Sequence, residues 1–329
     1  MATIRQVARR AGVAAITVSR VINRSGYVGE ETRRRVEQAI AELDYVPDQI
    51  ARGLRSRRSH TLGLLVTDIT NAFWTAVARG AEDTALQSGY ALFLCNTDEN
   101  EAKQAQYLRA LASRRVEGAV IAPASRDAGA LQAATRIGMP VVVLDRRVPG
   151  SQADLVRGDS LGGSRMLVEH LLARGHRRIA HLGGPLGIST ADEREEGYRA
   201  ALAAAEMEVD PRLVRRGDYK QEGGYSGTLD LVAQQPLPTA IFAANNALAV
   251  GALVALRERG LRVPEDVALV CFDDLPQASL VDPFLTVAAQ PAYEMGATAV
   301  RLLLERLHEP ARPPQEIVLP VRLIVRRSG

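Results

Sequence analysis

Carboxylate and amide side chains occupy the positions directly after several apolar segments of the chain. Asp68 ends "TLGLLVTD", Asp145 ends "PVVVLD", Asp273 belongs to "VALVCFDD", and Asn245 and Asn246 follow "TAIFAA". Parallel sheets bind ligands beyond the carboxyl ends of their strands, and carboxylates and amides pair well with hydroxyl groups. The pattern therefore predicts a site for a small hydroxyl-rich molecule. Each of these residues taken singly also fits an ordinary helix cap, and the sequence leaves that alternative open.

A second set of polar residues lies in the stretch "GVAAITVSRVIN", Gly12 to Asn23. At helical spacing Val18, Val21 and Ile22 share one face. In a DNA major groove an arginine can bind guanine through two hydrogen bonds, small polar side chains can reach phosphates or bases, and an isoleucine suits a thymine methyl group. The alternative is the solvated face of a small helical bundle. The residues of the opposite face and its edge are Ala15, Ile16, Thr17, Ser19, Arg20 and Asn23.

Three short helices are predicted to position these residues between positions 3 and 44. Thr3 and Gln6 have the spacing of a capping box at the first helix, and Gly12 ends it. The second helix spans about 15–23 and the third about 30–43, with Val36 and Ala39 among its inner residues. A helix, a tight glycine turn and a second helix with a polar outer face form a helix-turn-helix.

Charge is distributed unevenly along the chain. Residues 1–58 contain 12 arginines, no lysine and 6 acidic residues, a net +6, whereas the whole chain carries +3 and the remainder therefore −3. A basic arm on a slightly acidic body favours a polyanionic partner at one end of the molecule. Abundant arginine would explain the near absence of lysine, but it does not explain this asymmetry.

From Thr61 onward, short apolar strands alternate with helices, which predicts parallel sheets in two successive lobes. No apolar run is long enough for a membrane span and the N-terminus lacks a signal-peptide core, so we expect a cytoplasmic protein. Cys95 and Cys271 lie in separate apolar segments and are expected to be buried free thiols.

The sequence lacks the common patterns of several site classes. No phosphate-binding P-loop, dinucleotide fingerprint or nucleophile elbow occurs. The spacing of His170, His176 and His181 fits no standard zinc pattern. We therefore expect neither an enzyme, nor a bound cofactor, nor a metal site.

Three segments together resemble a known family: "TIRQVARRAGVAAITVSRVIN", "YVGEETRRRVEQAIAELDYVPDQIARGLR" and "TLGLLVTDITNAFW". They closely resemble the lactose/galactose repressor (LacI/GalR) family of bacterial transcription regulators, and the resemblance extends over essentially the whole chain. It implies an α/β fold: a two-lobed periplasmic-binding-protein-like body of parallel sheets flanked by helices, with a small all-α helix-turn-helix headpiece. The implied divisions are a headpiece 1–45, a hinge helix or linker 46–59, an N-terminal lobe 60–160 with 291–319, and a C-terminal lobe 161–290 with 320–329.

The resemblance also implies double-stranded operator DNA as a partner, bound by a homodimer; a chain that stops at "VRRSG" without a terminal heptad segment favours a dimer over a tetramer. Leu54 matches the leucine that paired hinge helices push into the minor groove. Ala14 stands where the family usually has a serine cap, a loss of about 1 kcal/mol. The implied DNA contacts are Thr3, Ala15, Ile16, Thr17, Ser19, Arg20, Asn23, Arg52, Leu54 and Arg55.

A small-molecule effector is implied in the cleft between the lobes. Asn246 stands where the family usually has Asp, which removes one negative charge beside the cleft. We expect a sugar or sugar derivative that releases DNA; the alternatives are a purine or nucleoside corepressor, and a sugar-binding protein without a DNA function. The family's cleft positions fall on Asp68, Phe73, Trp74, Asp145, Thr190, Arg194, Tyr219, Asn245, Asp273 and Gln290.

Overall fold

The computed structural model describes residues 2–23, 25–45, 59–124, 126–275 and 284–329. The chain divides after Ser59 into two compact units, a headpiece and a body, and each is described by itself. Arg52, Leu54 and Arg55, with the rest of the predicted hinge from 46 to 58, lie outside the described residues.

The headpiece consists of helices α1 (Ile4–Ala11), α2 (Ala15–Asn23) and α3 (Glu30–Glu42), within one residue of the predicted bounds. The predicted capping box is present, because the Thr3 hydroxyl accepts the Gln6 N–H and the Gln6 side chain accepts the Thr3 N–H at 2.7 Å. Gly12 ends α1 at φ +66°, in the left-handed region where glycine is unstrained.

The three helices bury a small shared core, and an ion pair joins the first helix to the third. Val7, Val18 and Val36, one from each helix, are fully buried. Arg10 of α1 contacts Glu42 of α3 at 2.6 Å, between Nη2 and Oε2. The burial of Val18 and Val21 fixes the rotation of α2 about its axis and leaves the opposite face to solvent.

The body alternates strands and helices throughout. In chain order its elements are β1 Thr61–Val66, α4 Ala72–Gln87, β2 Ala91–Asn96, α5 Glu101–Ser113, β3 Gly118–Ile121, α6 Gly129–Arg136, β4 Val141–Leu144, β5 Asp154–Gly158, α7 Ser160–Ala173, β6 Ile179–Gly183, α8 Ser189–Ala204, a 3₁₀ turn Pro211–Leu213, β7 Val214–Arg216, α9 Gln221–Val232, β8 Ala240–Ala243, α10 Asn246–Glu258, β9 Ala268–Phe272, β10 Thr286–Ala289, α11 Ala292–His308, β11 Glu316–Leu319 and β12 Arg322–Ile324.

These strands form two sheets of six with matching strand order. The first has the order β11-β5-β4-β3-β1-β2 and is parallel throughout; the second has the order β12-β10-β9-β8-β6-β7, in which β12 alone is antiparallel to its neighbour. The central strands are buried on both faces, as parallel strands covered by helices must be. Asp145 after β4 and Asp273 after β9 therefore occupy equivalent positions in the two lobes, and both have φ +68°.

The chain passes between the sheets at three places: from β5 to α7, from β10 to α11, and from β11 to β12. Helix α11 consequently packs in the core of the first sheet through residues such as Met295 and Val300.

Cys271 is buried in β9, but Cys95 is only partly buried. The prediction of two buried thiols is therefore wrong for Cys95, because β2 is an edge strand with a neighbour on one side only. Within the described ranges, no helix is both long enough and apolar enough to cross a bilayer.

Candidate functional sites

The outer face of α2 presents the side chains that the sequence singled out. Ile16 is 54% exposed, and Arg20 and Asn23 are also exposed. The Asn23 amide donates a hydrogen bond to the Ser19 hydroxyl at 3.2 Å, which orders two polar side chains one helical turn apart. A long cation, an apolar branched side chain and small polar groups on one short helix form a surface that can contact base edges. Ala15, Thr17 and Ser19 are half-buried at its margin, and Thr3 is exposed at the start of α1.

The body contains a cavity of about 690 Å³ beyond the carboxyl ends of both sheets, the position expected for a ligand of parallel α/β lobes. The predicted effector residues that line it are Asp68, Phe73, Trp74, Asp145, Thr190, Arg194, Tyr219, Asn245 and Asp273. Gln290 does not line it and instead supports one of these residues.

On the first lobe, Asp145 and Arg146 form the buried floor of the cavity. The Arg146 guanidinium makes a two-point ion pair with Glu99, with both N–O distances 2.6 Å, and donates to the Pro123 carbonyl at 2.9 Å. Asp145 Oδ2 lies 4.0 Å from Arg146 Nε. Burial raises the pKa of the Asp145 carboxyl, and the nearby Arg194 and Arg146 oppose that rise.

On the second lobe, Arg194 and Asp273 form the corresponding pair. Arg194 donates to the Ala244 carbonyl at 2.7 Å, lies 3.9 Å from Asp273 Oδ2, and stacks on the Phe272 ring with its guanidinium carbon 3.8 Å from the centroid. The Gln290 amide donates to Asp273 Oδ1 at 2.8 Å. Burial raises the pKa of Asp273 to about 6, against the opposing effect of Arg194.

Three aromatic side chains line the cavity. Phe73 and Trp74 meet edge to face at 4.8 Å and are 8% and 5% exposed, so they belong to the core of the first lobe as well as to the cavity wall. The Tyr219 ring packs against Gly184, where any Cβ would come within 2.3 Å of the ring. Gly184 therefore makes room for this ring at the cavity wall.

Several buried polar atoms around the cavity have no hydrogen-bond partner among the described residues. They are Asp145 Oδ1, Arg146 Nε, Arg194 Nε and Gln290 Oε1. A buried polar atom without a partner costs about 1–3 kcal/mol. Three of them, the Asp145 acceptor and the two guanidinium donors, belong to residues that line the cavity, so a ligand that offers both hydroxyl hydrogens and oxygens has the chemistry to satisfy them.

Asn246 follows the lining residue Asn245 but has a different role. It does not line the cavity, and its side chain pairs with Asn71 of the other lobe: Asn71 Nδ2 donates to Asn246 Oδ1 at 2.8 Å, and Asn246 Nδ2 donates to Asn71 Oδ1 at 2.9 Å. Its neighbour Asn245 lines the cavity and caps α10 by accepting the Leu248 N–H. Consecutive residues at a helix start point in different directions, so one serves the cavity and the other the junction between the lobes.

Residues of the cavity wall also include some that sequence reasoning missed. Arg146 is next to Asp145, which the strand-end rule had marked, whereas Glu99 lies three residues after the end of β2, a strand end that the rule had not marked. Extending that rule to every strand and to the three residues after its end would have found both. The missed polar lining residues are Thr67, Thr70, Asn71, Asp98, Glu99, Arg146, Asp218 and Lys220. In the described part of the chain, no group of three His, Cys, Asp or Glu side chains could hold a metal ion.

Comparisons with known proteins agree with this architecture. The description "Bacterial regulatory proteins, lacI family" matches residues 3–48, and "Periplasmic binding protein-like domain" matches residues 168–329. The ribose operon repressor of Escherichia coli is 36% identical over 330 residues, covering 100% of both chains. The HTH-type transcriptional repressor PurR of Pasteurella multocida is 35% identical over 329 residues, covering 100% of this chain and 98% of the relative.

Two solved structures extend the comparison. The lac repressor dimer bound to operator and the anti-inducer ONPF has a TM-score of 0.87 at 30% identity, covering 99% of this chain and 98% of that one. A complex of the transcriptional regulator CelR with cellobiose has a TM-score of 0.76 at 35% identity, covering 100% of both chains. The expected fold class and resemblance are thereby confirmed. With a helix-turn-helix headpiece and a two-lobed body matched along their whole length, the chain belongs to the lacI family of bacterial regulatory proteins.

Proposed function

We propose that this chain is a transcriptional repressor that binds a pseudo-palindromic operator as a homodimer and responds to a sugar in the body cavity. The observation that carries the effector half is the set of buried, unpartnered donors and acceptors around the cavity. Binding of the sugar changes the angle between the lobes and thereby the affinity for DNA, a coupling that is typically about 1–3 kcal/mol. The protein binds this ligand and does not transform it.

The DNA half of the proposal rests on the headpiece. Its exposed α2 face combines Arg20, Ile16 and Asn23, and residues 1–58 carry a net +6. Arg20 is proposed to read a guanine, and the further contacts to come from Thr3, Ala15, Thr17 and Ser19. The predicted hinge contacts Arg52, Leu54 and Arg55 remain predictions from the sequence.

A homodimer needs a face on which a second copy packs. Strand β2 is an edge strand, and large apolar side chains on and beside it are exposed: Leu86 by 65%, Phe93 by 46% and Leu94 by 46%. Solvent-exposed apolar groups clustered on an edge favour association with another protein surface. We propose this edge of the first lobe as part of the dimer interface.

Selection of bound duplexes from a random pool, followed by gel shifts, tests the DNA half. The full chain is expected to enrich an inverted repeat, and a chain that lacks residues 1–58 to enrich nothing. Arg20→Ala should lose preference for the selected sequence, whereas Arg57→Ala should mainly reduce the salt dependence of binding. If Arg20→Ala lowers the affinity for the selected sequence and for random DNA equally, Arg20 does not read a base.

A thermal-shift screen of sugars, nucleosides and purine bases against the full chain tests the effector half. A sugar that raises the melting temperature and weakens operator binding is the expected result. A purine that tightens operator binding while every sugar is inert would identify the site as that of a corepressor. A protein that binds sugars but no inverted repeat would be a sugar-binding protein without a DNA function.

A further inference from the structure

The buried guanidinium of Arg146 is already committed to a protein carboxylate. Both of its terminal nitrogens contact Glu99 at 2.6 Å, and Nη1 also donates to the Pro123 carbonyl. The Arg146 side chain is 6% exposed, whereas that of Glu99 is 36% exposed at the cavity wall. A two-point pair of this kind is the arrangement by which arginine grips a carboxylate or a phosphate. Glu99 therefore occupies the place that an anionic ligand group would take.

The remaining edge of Arg146 also faces a carboxylate. Its Nε atom lies 4.0 Å from Asp145 Oδ2, so two protein carboxylates lie around one guanidinium. Arg194, the other buried cation, lies 3.9 Å from Asp273. An anion that entered the cavity would thus meet carboxylates beside both guanidinium groups.

The cavity lining as a whole also carries more negative than positive charge. Among the described residues, six carboxylates and three cations line the cavity, and one of the carboxylates, Asp98, is also paired with Lys103 from outside the lining. A formal excess of negative charge remains in a space where charges are weakly screened. The unpartnered Arg146 Nε and Arg194 Nε still require acceptor oxygens, which rules out a ligand that is only a cation.

We propose that Glu99 determines the charge specificity of the site: by pairing with Arg146 it makes the cavity select uncharged sugars and reject phosphorylated or carboxylated ones. The inference rests on the proposed sugar effector and narrows it. Hydroxyl groups satisfy the free N–H groups and the carboxylates without adding charge, whereas a phosphate or carboxylate group would add a like charge to the excess.

Matched neutral and anionic sugars test the wild-type chain: D-ribose with D-ribose 5-phosphate, and D-glucose with D-glucose 6-phosphate and D-glucuronate. Dissociation constants come from calorimetry at pH 7. We expect at least one neutral sugar to bind, and its anionic counterpart to bind about 100-fold more weakly or worse, as like-charge contacts in a partly dehydrated site require. An anionic member that binds within tenfold of its neutral counterpart overturns the inference while leaving the sugar effector intact. If no neutral sugar binds, the proposed effector class fails and the inference fails with it.

Substitution of Glu99 tests its role directly. E99Q keeps the shape but removes the charge, and the ratio of neutral to anionic affinity is expected to fall at least tenfold. E99D keeps the charge and should preserve most of the rejection. The matched control is E101Q, which removes an exposed carboxylate at the start of α5 and should leave the ratio unchanged. An E99Q chain that melts cooperatively and retains the wild-type ratio overturns the assignment to Glu99; if E99Q does not fold, the wild-type ratios and E99D decide it.

Discussion

The amide pair between Asn71 and Asn246 offers a sharp test of how the lobes are joined. Asn71 also caps α4, because its Oδ1 accepts the Phe73 N–H at 3.0 Å, so Asn71→Asp keeps the cap and removes only the side-chain donor. Asn246→Asp likewise keeps the acceptor for Asn71 and removes the donor to it. Each single variant therefore retains one amide-to-carboxylate hydrogen bond between the lobes.

The two distances set the expected magnitudes. Asn71→Asp loses one hydrogen bond, a change of about 1 kcal/mol, and Asn246→Asp loses in addition the longer bond from Asn246 Nδ2 to the Asp274 carbonyl at 3.4 Å. In each single variant the surviving bond between the two residues gains strength from the charge of the carboxylate. In the double variant two carboxylates replace amides whose atoms are 2.8 and 2.9 Å apart. Two unit charges about 3 Å apart repel by about 1–5 kcal/mol for effective dielectric constants between those of water and of a protein surface. The double variant should be less stable than the two singles predict by that amount.

The wild type, the two single variants and the double variant form a double-mutant cycle. Urea unfolding of the full chain at pH 7 and low salt measures the free energy of unfolding of each of the four. Repeating it at pH 4 should shrink the coupling, because two adjacent carboxylates can share one proton. The control cycle pairs Asn246→Asp with Asn100→Asp, a cap on α5 that has no bond to Asn246, and should be additive within about 0.5 kcal/mol. If the test cycle is equally additive, the two amides do not touch in solution and the described lobe junction is wrong.

Three further predictions concern individual residues. Gly12→Ala should destabilise the headpiece by about 1–2 kcal/mol, because φ at Gly12 is +66°, and the effect should be seen as faster amide exchange in α1 and α2. The control Gly29→Ala, at φ −59°, should not destabilise the headpiece. Equal amide exchange in the two variants would contradict the left-handed cap at Gly12. His181 is fully buried beside Tyr198 and Phe242, and burial lowers its pKa from 6.5 to about 4. As the pH falls, this imidazole therefore takes up a proton in the unfolded chain before it does so in the folded chain. The free energy of unfolding should fall by about 3 kcal/mol as the pH drops from 6.5 to 4. His181→Phe should flatten that part of the pH profile of unfolding, and an unchanged slope would show that another group causes it. Because burial raises the pKa of Asp273 to about 6, this acceptor is protonated as the pH falls from 7 to 5, and the sugar affinity measured by calorimetry should weaken over that range. Asp273→Asn should remove this pH dependence. A pH dependence that persists in the variant would show that another group causes it.

The headpiece followed largely from local sequence. The capping box at Thr3 and Gln6, the glycine at position 12 and the spacing of apolar residues placed the three helices within a residue. These signals act over three or four positions, because helix geometry and capping bonds are local. The same spacing identified the exposed face of α2.

The strand-end rule located most of the cavity but not its chemistry. It found Asp68, Asp145, Asn245 and Asp273, because the carboxyl ends of parallel strands lie at one edge of a sheet wherever the strands are in the sequence. It could not separate Asn245 from Asn246, since the rule specifies an edge and does not specify a side-chain direction.

The sequence by itself thus determined the helices of the headpiece, the alternation of strands and helices in the body, and the sheet edge at which we propose that a ligand binds. Only the tertiary structure decided which charges meet: Glu99 and Arg146 are 47 positions apart, and Asn71 and Asn246 are 175 apart in different lobes. Such pairs depend on strand order and on the chain crossing between sheets. Local periodicity in the sequence predicts neither the strand order nor the crossings. The charge of a binding site is a sum over neighbours in space, so it is fixed only when the fold brings those neighbours together.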